Sequence, residues 1–408
     1  MTFLFKGPKL GPAILVTAAF IGPGSVVSAM IAGANFGFAL LWAFVFSVIA
    51  TIILQEMAAR LGIVTQQGLG ENIRQAIKNP LLKFFAVLLV VAAIVIGNSA
   101  YQGGNISGAS LGLTSLLVPL GLEQSLAQIL LPIVIGFCAF LLLISGSYKI
   151  VEKGLIFLVI LMSLAFLVTF ILVKPDFSEL FSGLFIPQIP DGATLTVIAL
   201  IGTTVVPYNL FLHAASAKEK WHSPEQLGEA RRDLYIAIPL GGLISIAILS
   251  TAATAFFKQQ IEIHGAADLA PALQPIFGDW ATVFMSTGLF AAGISSAVTA
   301  PLAAAFALSG ILNLKNKMSD KSFKLIWIII LIIGTFVASS GYKPINIIWF
   351  AQVANGLLLP IITIFLLLMM NTKKLGQYKN TWLQNTLGFI VLVVTLLLSG
   401  RSLLSAFA

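Results

Sequence analysis

At 408 residues, 58% of them hydrophobic and 9% charged, with a mean hydropathy of +1.01, the chain is far too apolar for a soluble domain of its size and reads as a polytopic membrane protein. Its net charge of +8 comes without a basic cluster interleaved with aromatic residues, which argues against a nucleic-acid partner. A lone cysteine, Cys138, excludes an internal disulfide and any zinc or redox motif, and its apolar surroundings place it as a small core residue.

The first apolar run, 10–33, is too long for a cleavable signal peptide and is followed at once by a second run. Inside it stands Gly22-Pro23-Gly24-Ser25. Two glycines around a proline break a helix, and in hydrocarbon a break is tolerated only where the backbone is buried in protein or lines a wet cavity. The half-helix that restarts near Gly24 to Val26 offers amide donors and a partial positive charge, with Ser25 as an added hydroxyl or as its cap.

Further runs of bilayer-spanning length follow near 37–60, 81–104, 126–146 and 154–173. The third span holds a set of neutral polar residues, Asn98, Ser99, Tyr101, Gln102 and Asn105, beside Gly103-Gly104. The sixth run, 194–217, is interrupted at Val206-Pro207-Tyr208-Asn209, with Thr203, Thr204 and His213 around it. Broken helices at matching places in two halves point to the central site of a transporter. His213, the one histidine inside a span, is a candidate proton carrier.

The remaining runs lie near 234–257, 280–312, 323–340, 344–370 and 382–400; a bend near Gly293 or Pro301 is expected in the eighth. Spans eight and ten add Ser295, Ser296, Thr299, Gln352 and Asn355 to a polar pathway. With the N-terminus in the cytoplasm, all of the 23 lysines and arginines except Lys174, Lys258, Lys343 and Arg401 fall on the cytoplasmic side, which supports eleven spans and an external C-terminus. The connections 174–193 and 258–279 read as short ordered caps. Glu56 sits one turn from Arg60 at the end of span two and is expected to pair with it.

The expected fold is therefore all-α: one transmembrane domain over 1–408, with inverted repeats at about 10–173 and 194–370, broken helices one and six, and an extra helix at about 382–400. No carboxylate falls at the midplane, and no pair of carboxylates, Ser-His-Asp set or phosphate-binding loop marks an enzyme or a cofactor site.

Gly22-Pro-Gly-Ser25, Ala32-Gly33-Ala34 and Gln55-Glu-Met-Ala-Ala-Arg-Leu-Gly62 resemble the opening of the Nramp-type divalent-metal transporters. Val206-Pro-Tyr-Asn-Leu-Phe-Leu-His213 resembles their sixth span, Gly293-Ile-Ser-Ser-Ala-Val-Thr299 their eighth, and Gln352 their tenth. The resemblance covers all eleven spans and implies a LeuT-type inverted-repeat fold with proton-coupled uptake, His213 and Gln102 lying on the proton route. The chain departs from the family at its metal ligands: Gly22 and Ser25 stand where the family has Asp and Asn, and Val206 where it has Met. The acidic pair usual in span three is missing.

These departures favour a secondary transporter of a small amino acid or carboxylate, bound by Gly22, Gly24, Ser25, Thr203, Val206, Tyr208, Asn209 and Gln352, with the bilayer and a coupling proton as its other partners. The alternative is a divalent cation of the Mn, Fe or Mg type held through its water shell and backbone carbonyls. A non-transporting receptor or scaffold is the reading from another class. Compact loops point to a bacterial inner membrane.

Overall fold

The computed structural model describes residues 22–145, 149–257, 265–314 and 318–407. Among these the chain is helical throughout, with no strand. In order, the helices are α1 (Pro23–Phe36), α2 (Leu41–Thr65), α3 (Leu69–Ala76), α4 (Pro80–Leu117), α5 (Gln124–Ser145), α6 (Lys149–Val173) and α7 (Phe177–Phe185). They continue as α8 (Thr194–Thr204), α9 (Pro207–Lys220), α10 (Leu227–Phe256), α11 (Ala281–Leu312), α12 (Lys321–Ala338), α13 (Pro344–Met370) and α14 (Trp382–Phe407). Ten stretches of the described residues are long and apolar enough to cross a bilayer, and they match the second to eleventh predicted spans. Of the first span only α1 is described; its first half lies outside the described residues.

Burial sorts the helices into a core and a lipid-facing shell. Of the apolar windows, that of α8 and α9 is 89% buried, whereas those of α4 and α6 are 28% buried. The broken sixth span is thus the centre of the bundle. Between helices in lipid there is little hydrophobic drive, so close packing rests on small residues. A Cβ on Gly202 would stand 2.1 Å from the Gln352 carbonyl and 2.5 Å from the Gly356 amide, so α8 and α13 touch backbone to backbone. The same holds for Gly293 against Ala109 and Asn105 in the most extensive helix pair, α11 with α4. The tight turn from α1 to α2 needs Gly37, whose φ of +56° is closed to most side chains.

Two expectations change. The third span runs to Leu117, well past the predicted 104, with its glycines as contact points: Gly104 lies on Ala351 and Gly108 on Pro23. The eighth span is one helix, Ala281–Leu312, with Pro301 inside it. Cys138 is exposed, not core, because α5 turns Ala127, Leu131, Ile135 and Ala139 inward and Cys138 lies off that face. The segment 174–193 is an ordered cap, as expected, with Trp42 Nε1 donating to the Gln188 carbonyl at 2.8 Å.

At the end of the bundle that carries most of the basic residues, here the basic end, Glu56 pairs with Arg60 as expected, at 2.9 Å. Its other oxygen binds Arg231 of α10 at 2.9 Å, a partner the spacing did not reveal. Arg60 also donates to the Tyr378 carbonyl and to Asn380 Oδ1, each at 2.8 Å, which ties α2 to the connection before α14. Lys374 in that connection binds Gln67 Oε1 at 2.6 Å; burial pushes its ammonium pKa below the usual range, against the opposing pull of Glu71.

Candidate functional site

Two chain breaks meet at the middle of the bundle. Gly22 is extended (φ −105°, ψ −175°), and Pro23 occupies the first turn of α1, where its missing N–H costs nothing. In span six, α8 ends at Thr204, Val205 (ψ 71°) and Val206 (ψ 121°) leave the helix, and Pro207 starts α9. The last carbonyls of α8 and the first amides of α1 and α9 therefore converge on one place.

Ser25 Oγ and Thr203 Oγ1 lie 2.9 Å apart and join the two breaks directly. Ser25 stands inside the first turn of α1, and its hydroxyl reaches across to Thr203. Val26 N–H bonds the Gly22 carbonyl at 3.3 Å, so the donor set is narrower than the expected Gly24 to Val26. Gln352 of α13 links both breaks. Its side chain covers Gly24, where a Cβ would be 2.2 Å from Nε2, while its backbone carbonyl abuts Gly202. Asn209, fully buried, has neither amide atom hydrogen-bonded, and Gln352 Oε1 likewise has no partner. Val206 contributes only an apolar side chain.

Tyr208 turns toward α4. Its ring lies 5.4 Å from that of Tyr101, tilted by 59°. Tyr101 belongs to the polar set of the third span, and its pairing with Tyr208 is what the structure adds. His213, two turns along α9, is buried, with Nδ1 2.8 Å from Gln55 Oε1 of α2 and Nε2 without a partner. Gln102 points elsewhere: Nε2 donates to the Ala297 carbonyl of α11 at 2.9 Å and its stem packs under Gly334 of α12. The bonds of His213 and Gln102 thus run to different neighbours. Gly22, Gly24, Ser25, Thr203, Val206, Tyr208, Asn209 and Gln352 surround the breaks; Gln102 lies on the side of α4 that meets α11 and α12.

The opposite end, whose connections hold Asp176, Glu179, Asp191, Asp268 and Asp279 and which is here the acidic-loop end, carries a cleft of about 290 Å³ lined by Ile31, Asn35, Thr196, Ile345, Asn346 and Trp349. Trp349 is one turn of α13 above Gln352. Toward the basic end the route is closed by packed helix and by Lys218 paired with Glu71 at 3.4 Å. Electrostatically the site has both signs: the α1 and α9 starts favour an anion, while the α8 end favours a cation. Among the described residues no three His, Cys, Asp or Glu side chains come together. The ligands on offer are neutral oxygens and amides.

Residues 13–405 match the family model described as natural resistance-associated macrophage protein-like, Nramp. The divalent metal cation transporter MntH of Yersinia pestis (strain Pestoides F) is 28% identical over 403 residues, covering 97% of this chain and 94% of the relative. A variant of the manganese transporter of Eremococcus coleocola superposes with a TM-score of 0.74 at 22% identity, over 96% of this chain and 85% of that one. MhsT in complex with L-phenylalanine superposes with a TM-score of 0.65 at 16% identity, over 96% and 98% of the two chains.

Proposed function

The chain belongs to the Nramp family, and from that premise we propose that it is a secondary transporter of a hard divalent metal cation, carried with part of its water shell. The relatives' names carry the choice of substrate class. They favour the divalent cation over the amino acid or carboxylate preferred on sequence, since the dipoles at the breaks serve either sign. The likeness to MhsT is one of fold.

The observation that shapes the proposal is the neutral lining. Ser25, Thr203, Asn209 and Gln352 supply hydroxyl and amide oxygens, and the α8 end supplies carbonyls; Val206 gives no soft sulfur. A soft transition metal selects thiolate, thioether or imidazole, whereas Mg²⁺-like ions keep water and accept oxygen. A cation that keeps its waters presents O–H donors, for which the unpartnered Asn209 Oδ1 and Gln352 Oε1 are matched acceptors. Holding the waters avoids the cost of stripping a dication against uncharged ligands.

The substrate would enter from the acidic-loop cleft and leave at the basic end, which the distribution of lysine and arginine places in the cytoplasm. Release requires the Glu71–Lys218 contact and the packing around α9 to open. Proteoliposomes holding the full chain should accumulate Mn²⁺ or Mg²⁺ with saturation. Absence of divalent flux, with uptake of an amino acid or carboxylate in its place, would overturn the proposal.

For coupling to protons, His213 is the buried group whose ordinary titration range falls near neutral pH. His213→Ala should flatten the pH dependence of uptake while the protein still binds cation. An unchanged pH profile would leave the histidine as a structural partner of Gln55.

A further inference from the structure

The half-helix α9 has two unlike faces. At about 100° per residue, Tyr208, Phe211, Ala215 and Lys218 fall in one stripe about 80° wide, and His213 stands on the far side of the helix. The His213 face is joined to α2. His213 Nδ1 lies 2.8 Å from Gln55 Oε1, and both residues are buried. One residue on, a Cβ at Gly62 of α2 would meet the Ala214 carbonyl at 2.2 Å, so the two backbones touch. Ala217 completes the contact in an apolar cluster with Ala59 and Ile63 of α2. Parting α9 from α2 would strand a buried histidine and amide and open a close-packed contact, both of them costly.

The Tyr208 stripe makes a weaker seam with α4, α11 and α3. Next to the breaks the Tyr208 ring leans on that of Tyr101 in α4, 5.4 Å between centroids. Further along, Phe211 and Ala215 look across at Phe306 and Ala307 of α11 over a gap of about 20 Å³, room for one water. At the basic end Lys218 Nζ lies 3.4 Å from Glu71 Oε2, with side chains 14% and 26% exposed, a pair that solvent screens. Glu71 belongs to the α11 side of the seam, because α3 is fixed there. A Cβ at Gly70 would stand 2.7 Å from the Ile311 amide nitrogen, and Arg74 donates to the Ile311 carbonyl at 3.3 Å.

We propose that the way out to the basic end opens along this seam, α9 leaving α4 and α11 while it stays on α2, with Tyr101–Tyr208 and Glu71–Lys218 as its two doors. The doors stand about 15 Å apart along α9, one at each end of the half-helix. A tilt of α9 together with α2 releases both, and neither the His213 contact nor the Gly62 contact is broken. This rests on the transporter reading above, but not on which solute is carried.

The test reads opening directly, by labelling the full chain in proteoliposomes with a water-soluble maleimide. Cys138→Ser removes the chain's one native thiol, so an introduced cysteine is the only target. Ala215→Cys reports the seam and Ala217→Cys the α2 face. Glu71→Gln loses the charge but keeps an acceptor for the Gly68 amide, which Glu71 caps. Glu71→Gln and Lys218→Met should each raise the labelling rate of Ala215→Cys at least about fivefold, and the two together no more than either alone. Tyr101→Leu should raise it as well, while labelling of Ala217→Cys stays within about twofold in every variant. An unchanged rate at Ala215→Cys in all three, or an equal rise at Ala217→Cys, overturns the seam. A rise confined to Ala215→Cys in a protein that moves no Mn²⁺ would leave the seam standing and overturn the cation reading.

Discussion

Gly24→Leu is expected to stop transport in a protein that still folds. A Cβ at Gly24 would stand 2.2 Å from Gln352 Nε2 and 2.6 Å from its Cδ. These are atoms at the far end of a flexible side chain, so Gln352 swings away and the bundle survives. Contrast Gly202, whose Cβ would meet the backbone of Gln352 and Gly356 and could not be relieved without parting α8 from α13. With leucine at position 24 the isobutyl group occupies the space between the breaks, and Gln352 no longer presents its amide to a guest. A loss of at least about tenfold in Mn²⁺ flux, equivalent to about 1.4 kcal/mol, is expected, with a melting temperature close to that of the unaltered protein. Gly24→Ala should fall between. Undiminished flux in Gly24→Leu would mean that the substrate does not pass between α1 and α13.

Glu56→Ala is expected to give the largest loss of stability of any single charge removal. The carboxylate is shared: Oε2 binds Arg60 at 2.9 Å and Oε1 binds Arg231 at 2.9 Å. The Arg60 side chain is 3% exposed and that of Arg231 41% exposed. Taking the carboxylate away leaves the Arg60 charge buried with only the Tyr378 carbonyl and Asn380 as acceptors. Removing one partner of a buried pair costs about 3–5 kcal/mol, because the stranded charge cannot reach water. Arg231→Ala should cost about 1 kcal/mol or less, since a half-exposed partner is screened by solvent. Thermal unfolding of both variants in the same detergent checks the difference; equal melting temperatures would show that Arg60 reaches water or another anion.

The places where residue pattern and structure part company share one cause. In a soluble helix, alternation of apolar and polar residues marks the inner face. A helix in lipid is apolar on both sides, so that signal is missing. Cys138 looked internal because its neighbours are apolar, yet it shares the exposed side of α5 with Phe137 and Leu141. Gln102 was placed on the proton route by the family resemblance; in α4 it follows Tyr101 by about 100° and faces α11 and α12. The glycines of α4 are where α1, α11 and α13 press against it.

What the residues alone determined is what depends on length and backbone chemistry. A stretch long enough to cross hydrocarbon must be a helix because its amides have no other partners there. A proline inside such a stretch must release some of them, which located both breaks and, with the family resemblance, the fold. What the tertiary structure decided is which side chains share a space: Ser25 with Thr203, Gly24 with Gln352, Tyr208 with Tyr101, His213 with Gln55, Glu56 with Arg231. These partners stand up to 328 residues apart in the chain, as Gly24 and Gln352 do, and only the close approach of backbones at small residues brings them together.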